Sequence, residues 1–438
     1  MSLMNVLSLI NQKTESNGFP FLNSLKKESF FYLNSVGFPT RKMEDWRFTN
    51  INPILDGNFV LAPDTDSISL EKEQIKSLLI PDFDNNFLVF VNGLYQEDLS
   101  RCYKKGNKII VNSLNEALTL KQYSDIILQH LGKYLYYGED GFVALNTMSF
   151  RDGAFIVIPE NFDAGTIVIY NITDIRYQPL LINTRNLIVL EPGSKVNIIE
   201  FYYTIGDNQK GFSNTATEIV CLENSELNYY KIQNQNLNEY HINTTQLVQQ
   251  QSSKAQTLTV SWGGSIVRNT LNIQLVGKQA ESIFHGLYFL KDRQHIDNHT
   301  TIEHIAPDCH SNEYYKGIIG DEGDAVFNGK ILVKRDAQKT NAYQLNKNIL
   351  LSGNASINSK PQLEIFADDV KCSHGATTGQ IDNEQLFYLL SRGISKSEAI
   401  KLLLYAFGND IFENVSLKPL SEYLEARLQE KINESFTN

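Results

Sequence analysis

The segments AGTIVIY (164–170), PGSKVNII (192–199), NSELNYY (224–230), SSKAQTL (252–258) and KQAESIF (278–284) decide the fold. Each is a turn signal followed by a short β-rich run, and they recur about every 28 residues. After a longer gap, EGDAVFN (322–328) and SGNASIN (352–358) keep the style at about the same spacing from each other. Such a period is what stacked coils give, because each coil adds strands to those of the coil before it. The β-rich runs expected here are 154–158, 166–170, 186–190, 196–203, 217–221, 227–232, 256–262 and 271–275, with Gly, Ser, Asn and Asp between them. No long helical pattern interrupts residues 151–375. The pattern favours a parallel β-helix, and a many-stranded sandwich remains open because it has a similar composition.

Outward from this core the texture changes on both sides. Residues 1–150 read as mixed α and β. Helices are expected over 21–36, stopped by Gly37, over 114–136, and over 140–149. Residues 86–94 are β-rich, with the turn pair Asn92-Gly93. The tail, Ile381–Asn438, turns sharply helical. Asp382 with Gln385, and Ser395 with Glu398, have capping-box spacing for helices over 383–391 and 396–407, closed by Gly393 and Gly408. Pro419 suits the first turn of a last helix carrying Leu420, Leu424, Leu428 and Ile432 at steps of four. That stripe serves internal packing, a partner groove, or both.

The chain of 438 residues is 42% hydrophobic, with 24 Phe and 21 Tyr, which is ample for a large core. A formal charge of −11 argues against general binding of nucleic-acid phosphates. The first residues, MSLMNVLSLINQKTESNGF, show no basic leader and no small-residue cleavage site. The longest apolar runs are strand-sized, far short of the roughly 20 residues that span a bilayer. Cys102, Cys221, Cys309 and Cys372 are scattered without paired spacing, which suits a reducing cytosol and a cytoplasmic location. Cys102 and Cys221 read as core residues, and Trp262-Gly263-Gly264 as a close-packed turn.

Two constellations carry candidate chemistry. In DDVKCSHG (368–375), Cys372 and His374 stand two apart, so an extended strand puts both on one face. Thiolate sulfur beside imidazole nitrogen suits iron–sulfur, zinc or copper. Two ligands do not close a four-coordinate site, so the rest must come from elsewhere, most simply from a second chain. A buried thiol beside a hydrogen-bonded imidazole is the plain alternative. The second constellation is HIDNHTTIEH (295–304) with Cys309-His310. Its six candidate donors are His295, His299, Glu303, His304, Cys309 and His310. On one strand His299 and Glu303 share a face and His304 points away, so the set reads as a hydrogen-bonded polar strip, with His285 alongside. No Walker phosphate loop, nucleophile elbow or H-E-x-x-H occurs; Gly-Lys at Gly132, Gly277 and Gly329 is never followed by Ser or Thr.

The block PQLEIFADDVKCSHGATTGQIDNEQLFYLLSRGIS (361–395) closely resembles the SufD signature of the SufB/SufD family. MEDWRFTN (43–50), HTTIEH (299–304) and AVFNGKILV (325–333) are similar to the same family, in the same order along the chain. His374 followed by Gly375-Ala376-Thr377 follows the SufD rather than the SufB style.

The resemblance implies a mainly β fold: a right-handed parallel β-helix core (151–375) between an N-terminal helical or mixed region (1–150) and a C-terminal helical domain (376–438). It implies a non-catalytic scaffold for iron–sulfur cluster assembly. The scaffold pairs with a SufB-like chain through the C-terminal edge of the β-helix and docks a SufC-like ABC ATPase through 376–438. His374 matches the family histidine at the nascent cluster or iron site, and Cys372 its neighbouring cysteine, as ligand or buried structural residue. No cofactor is expected to stay bound to the isolated chain. The cluster or iron is transient, and the isolated chain is left open between a homodimer and a monomer. The rivals are a SufB-like paralogue and, in another class, a β-helix enzyme acting on polysaccharide.

Overall fold

The computed structural model describes residues 19–62, 74–75, 78–80, 82–83, 86–102, 109–138 and 140–436. The amino-terminal stretch read for a leader lies outside them, apart from Phe19. From Ala154 onward the strands alternate between two parallel sheets, one ten-stranded and one eleven-stranded. Each strand therefore pairs with the strand two before it, as in Leu180–Leu190 with Gly211–Cys221 and Lys195–Ile205 with Glu226–Asn234. This is a parallel β-solenoid. One coil takes 26 residues from Tyr240 to Ile266 and 32 from Asp324 to Ser356, bracketing the expected period.

The repeat has a finer rule than its spacing shows. The five fragments between 164 and 284 all open strands of the eleven-stranded sheet, whereas Asp324–Val333 and Ser356–Ile365 belong to the ten-stranded one. The eleven-stranded sheet continues instead through His310–Ile319 and Thr340–Leu350, whose polar openings hide the repeat. The longer gap is thus a change of sheet.

Strands run longer than their apolar cores. The expected run 186–190 is the end of Leu180–Leu190, every residue of which is buried. Its polar middle, Asn183 to Asn186, is covered by the helix Gly141–Ser149, capped by Asp140, whose carboxylate accepts from the amides of Phe142 and Val143. Asn146 Nδ2 donates to the carbonyls of Thr184 and Asn214 at 2.8 and 2.9 Å, and Asn214 Nδ2 donates to Asn183 at 2.8 Å. These bonds offset part of the cost of burying polar side chains under a helix, although Asn183 Nδ2 and the Thr184 hydroxyl find no partner among the described residues.

The expected helix over 114–136 is broken into Leu114–Ala117, a 3₁₀ turn Lys121–Tyr123 and Ser124–His130. Beyond it Gly132 takes φ 72°, and the chain folds around the buried Glu218 carboxylate, which accepts from the amides of Gly132, Tyr134 and Leu135. Glu218 pairs with the equally buried Arg185 at 2.7 Å. A long-range charge, invisible to helical periodicity, reshapes this segment.

The apolar core has three layers. One lies inside the solenoid, between the sheets. A second lies between the outer face of the ten-stranded sheet and the N-terminal helices. The third lies between the outer face of the eleven-stranded sheet and the tail. In the tail, Asn383–Ser391 and Lys396–Asn409 carry the expected caps Asp382 and Ser395. Gly408 does not close its helix. It lies within it, where an added Cβ would come within 2.7 Å of Leu428. Leu420, Leu424, Leu428 and Ile432 of the helix Lys418–Glu434 are fully buried in the layer against Phe201, Tyr203 and Tyr230, so packing accounts for this stripe.

The two ends of the solenoid differ. At the first, Ile110–Ser113 pairs antiparallel with Ala154–Ile158, and the hairpin Asn86–Val91/Leu94–Tyr95 closes the other sheet. At the last, Ser356–Ile365 and Val370–Gly379 end the two sheets, and none of their residues is fully covered.

Candidate functional site

Cys372 and His374 both lie on the terminal strand Val370–Gly379. Cys372 is in register with the buried Ala342 and packs against the interior core, so its side chain faces into the solenoid. By the two-residue period His374 shares that inward face, in register with Gln344. No further coil covers the pair, and the imidazole is exposed while the thiol is half-buried. Burial raises the Cys372 thiol pKa, so the uncharged thiol is favoured in the isolated chain. Among the described residues no group of three or more His, Cys, Asp or Glu is placed to hold a metal ion. The sequence brought together two donors, and the described residues add no third.

Beneath His374 the inward column stays polar. Gln344 Nε2 donates to Glu313 at 2.7 Å, and the Thr300 hydroxyl donates to the other oxygen at 2.5 Å. Burial outweighs these two bonds and pushes the Glu313 carboxyl up to about 7.

The second constellation does not converge. His304 is buried, 2.9 Å from the Ser311 hydroxyl, and burial lowers its imidazole to about 4. Cys309 is buried and donates to the Gly277 carbonyl at 3.3 Å. His285 is buried edge-on against Tyr314, and burial likewise lowers it to about 4. His310 is exposed at the start of the next strand. His295 and His299 instead face Asp297 and the N-terminal segment, as parts of a clamp.

That clamp explains MEDWRFTN, for which sequence reading offered no physical role. The Arg268 guanidinium lies 3.8 Å from the centroid of the buried Trp46 ring and donates to the Asp45 carbonyl at 2.8 Å. Arg268 also pairs with Asp297, and Lys360 pairs with Glu44. Burial works to raise the Asp297 carboxyl, but Arg268, His299 and His295 together hold it well below the usual carboxylate range. The Thr49 hydroxyl lies 2.5 Å from Asp297 and 2.9 Å from His295 Nε2, and His295 Nδ1 is 2.9 Å from Asp324. Asp324, His295 and Thr49 thus stand in the order of a hydrolytic triad. Thr49 is only 1% exposed and donates to Asp297, so the arrangement is a sealed strut.

Gly263 confirms the close-packed turn, since a Cβ there would lie 2.0 Å from the Gln235 carbonyl oxygen. Cys221 is buried, and Cys102 packs partly exposed against the interior core.

Comparison with known proteins agrees with this architecture. Residues 174–407 match the SUF system FeS cluster assembly SufBD core domain, and residues 3–168 match the SufBD N-terminal region. The chain belongs to the SufB/SufD family. Among family members, it is 30% identical to the iron–sulfur cluster assembly protein SufD of Escherichia coli over 91% of this chain and 90% of that one. It is 33% identical to a SufBD family iron–sulfur cluster assembly protein of Synechocystis over 89% and 86% of the two chains. A chloroplastic Arabidopsis thaliana protein is 28% identical over 90% and 82%. The SufBD core match begins at residue 174, inside the solenoid, and runs through the tail helix Lys396–Asn409 almost to its end. It therefore takes in the terminal strand with Cys372 and His374. Among the described residues no helix is long and apolar enough to cross a membrane.

Proposed function

We propose that the chain is a non-catalytic, cytoplasmic scaffold subunit for iron–sulfur cluster assembly, whose uncovered terminal coil is completed by a SufB-like partner. The asymmetry of the solenoid carries this reading. One end is sealed by antiparallel strands, while the other presents two ten-residue edge strands with Cys372 and His374 between them. Solenoids need their last coil covered, and open parallel edges are templates for another chain's strands. The partner supplies the remaining ligands to a transient cluster or iron that is cargo here. When the partner is missing, a second copy of the chain takes its place.

In this scheme the His374 imidazole binds through a neutral nitrogen, for which protons compete. Cys372 must first lose its proton, which burial opposes, so it joins the ligand set as the terminal coil is uncovered or as metal displaces the proton. A site that is partly nitrogen-ligated and shared between subunits suits a scaffold that releases its product.

The tail docks a SufC-like ATPase. The surface it offers is the outer side of its first two helices, where Phe387 is 71% and Leu402 49% exposed, with Tyr388 and Leu390 alongside. Exposed apolar groups in such number mark a contact surface. The buried stripe of the last helix is not available for that role.

Co-expression with a SufB-like chain and a SufC-like ATPase tests the whole reading, which expects a stable complex of one scaffold pair with two ATPase chains. Within that complex His374→Ala abolishes most cluster formation while leaving assembly intact. Normal cluster yield from this variant would reject the ligand role. Deleting the tail is a poor test of docking, because it strips the apolar cover from the eleven-stranded sheet. Phe387→Asp with Leu402→Asp should release the ATPase from a folded chain, and retained binding would place the docking surface elsewhere.

A further inference from the structure

Apolar packing alone does not fix how the tail sits on the solenoid, because burial of apolar area is non-directional. The two are also joined by charge, at the partly exposed pair Lys291–Glu434 and at the more deeply buried Lys316. Lys316, on the outer face of the strand His310–Ile319, is only 4% exposed. Its ammonium donates to the Phe407 carbonyl at 2.8 Å and pairs with Asp410, the residue that ends the helix Lys396–Asn409. The Tyr314 hydroxyl donates to the same carboxylate at 3.0 Å. The Lys347 ammonium lies 5.7 Å from the Tyr314 ring, and His285 meets that ring edge-on. Gly408 lies beside this pair, facing Ile318 of the solenoid and packed tightly against Leu428 of the last helix. A cation against terminal helix carbonyls and a carboxylate is a directional anchor, unlike the leucine stripe beside it.

The anchor's position matters. Lys316 is in register with Lys347, and Lys347 with Thr377 of the terminal strand. Two strand spacings, roughly 10 Å, therefore separate the anchor from the strand that carries Cys372 and His374. We propose that Lys316 and Asp410 form a coupling latch, which carries movement of the tail helices into the open end of the solenoid as one rigid body. The role rests on the reading that the tail docks the ATPase. Lys316 is a positioning residue and touches no cargo.

The test uses the full complex with its SufB-like and SufC-like partners. Lys316→Met should leave co-purification and ATP hydrolysis near wild type, while clusters formed per ATP fall by about fivefold or more. Lys316→Arg should restore most of that ratio. An unchanged ratio in Lys316→Met, with the ATPase bound, removes the coupling role alone. Failure of the wild-type chain to bind the ATPase removes the docking reading and the coupling role with it. If Lys316→Met does not fold, Asp410→Asn breaks the same pair and faces the same criterion. Hydrogen exchange on the wild-type chain gives an independent arm. The amides of residues 407–410 should be as protected as those of His310–Ile319, and exchange as fast as in the exposed helix Asn383–Ser391 would overturn the latch.

Discussion

At the scale of single residues, buried charges are the sensitive points. Arg185 and Glu218 are both fully buried and bonded to each other. Glu218→Ala leaves a buried guanidinium without its carboxylate and three backbone amides without their acceptor. The expected loss is about 3–5 kcal/mol, read from urea unfolding. Glu313 makes a prediction about pH. Its folded-state value of about 7 lies above the usual 4.5, so the folded chain holds this proton more tightly than the unfolded one. Its effect is absent below about pH 4.5 and grows into a destabilisation as pH rises to about 7, beyond which it levels off. Glu313→Gln should therefore be near neutral at pH 4.5 and stabilising by roughly 2–3 kcal/mol at pH 8. Equal effects at the two pH values would show that folding does not shift this carboxyl. His374→Ala, by contrast, alters an exposed side chain and should shift stability by no more than about 0.5 kcal/mol, which separates its effect on cluster formation from unfolding.

At the scale of elements, the last helix is held by its buried leucines. Leu424→Ala removes a fully buried side chain from the layer under the tail. It should cost about 2–5 kcal/mol and raise protease susceptibility of the tail. The caps matter less. Asp382→Ala should fray the helix Asn383–Ser391 at a cost of about 1 kcal/mol, visible as faster amide exchange in its first turn. Elements were legible where local signals are strong. The helix Pro20–Val36 closed by Gly37, the turn at Asn92-Gly93 and the tail caps Asp382 and Ser395 lie where the residues indicate. They failed where distant groups intervene. Glu218 holds only the end of the helix expected over 114–136, from Gly132 to Leu135, in a turn, and Gly408 proved to be a contact with Leu428 and not a stop.

At the scale of the molecule, asymmetry dominates. In the isolated chain, amide exchange should be slowest near Ala154–Ile158, which is covered on both sides, and fastest in Val370–Gly379, which has a strand on one side only. Adding a SufB-like partner should slow exchange in the terminal strand. Unchanged exchange there on complex formation would show that the open coil is not the interface.

The sequence by itself favoured stacked coils over a many-stranded sandwich, because a period near 28 residues survives in turn residues and apolar runs that each coil needs locally. It also determined that Cys372 and His374 share a face, because the strand period of two is a property of the backbone. Only the tertiary structure decided which sheet each fragment joins, that one end is sealed and the other open, and that MEDWRFTN straps onto Arg268 and Asp297. The strap depends on contacts between residues hundreds of positions apart, Thr49 with Asp297 for one, and such pairs leave no periodic trace in a single chain.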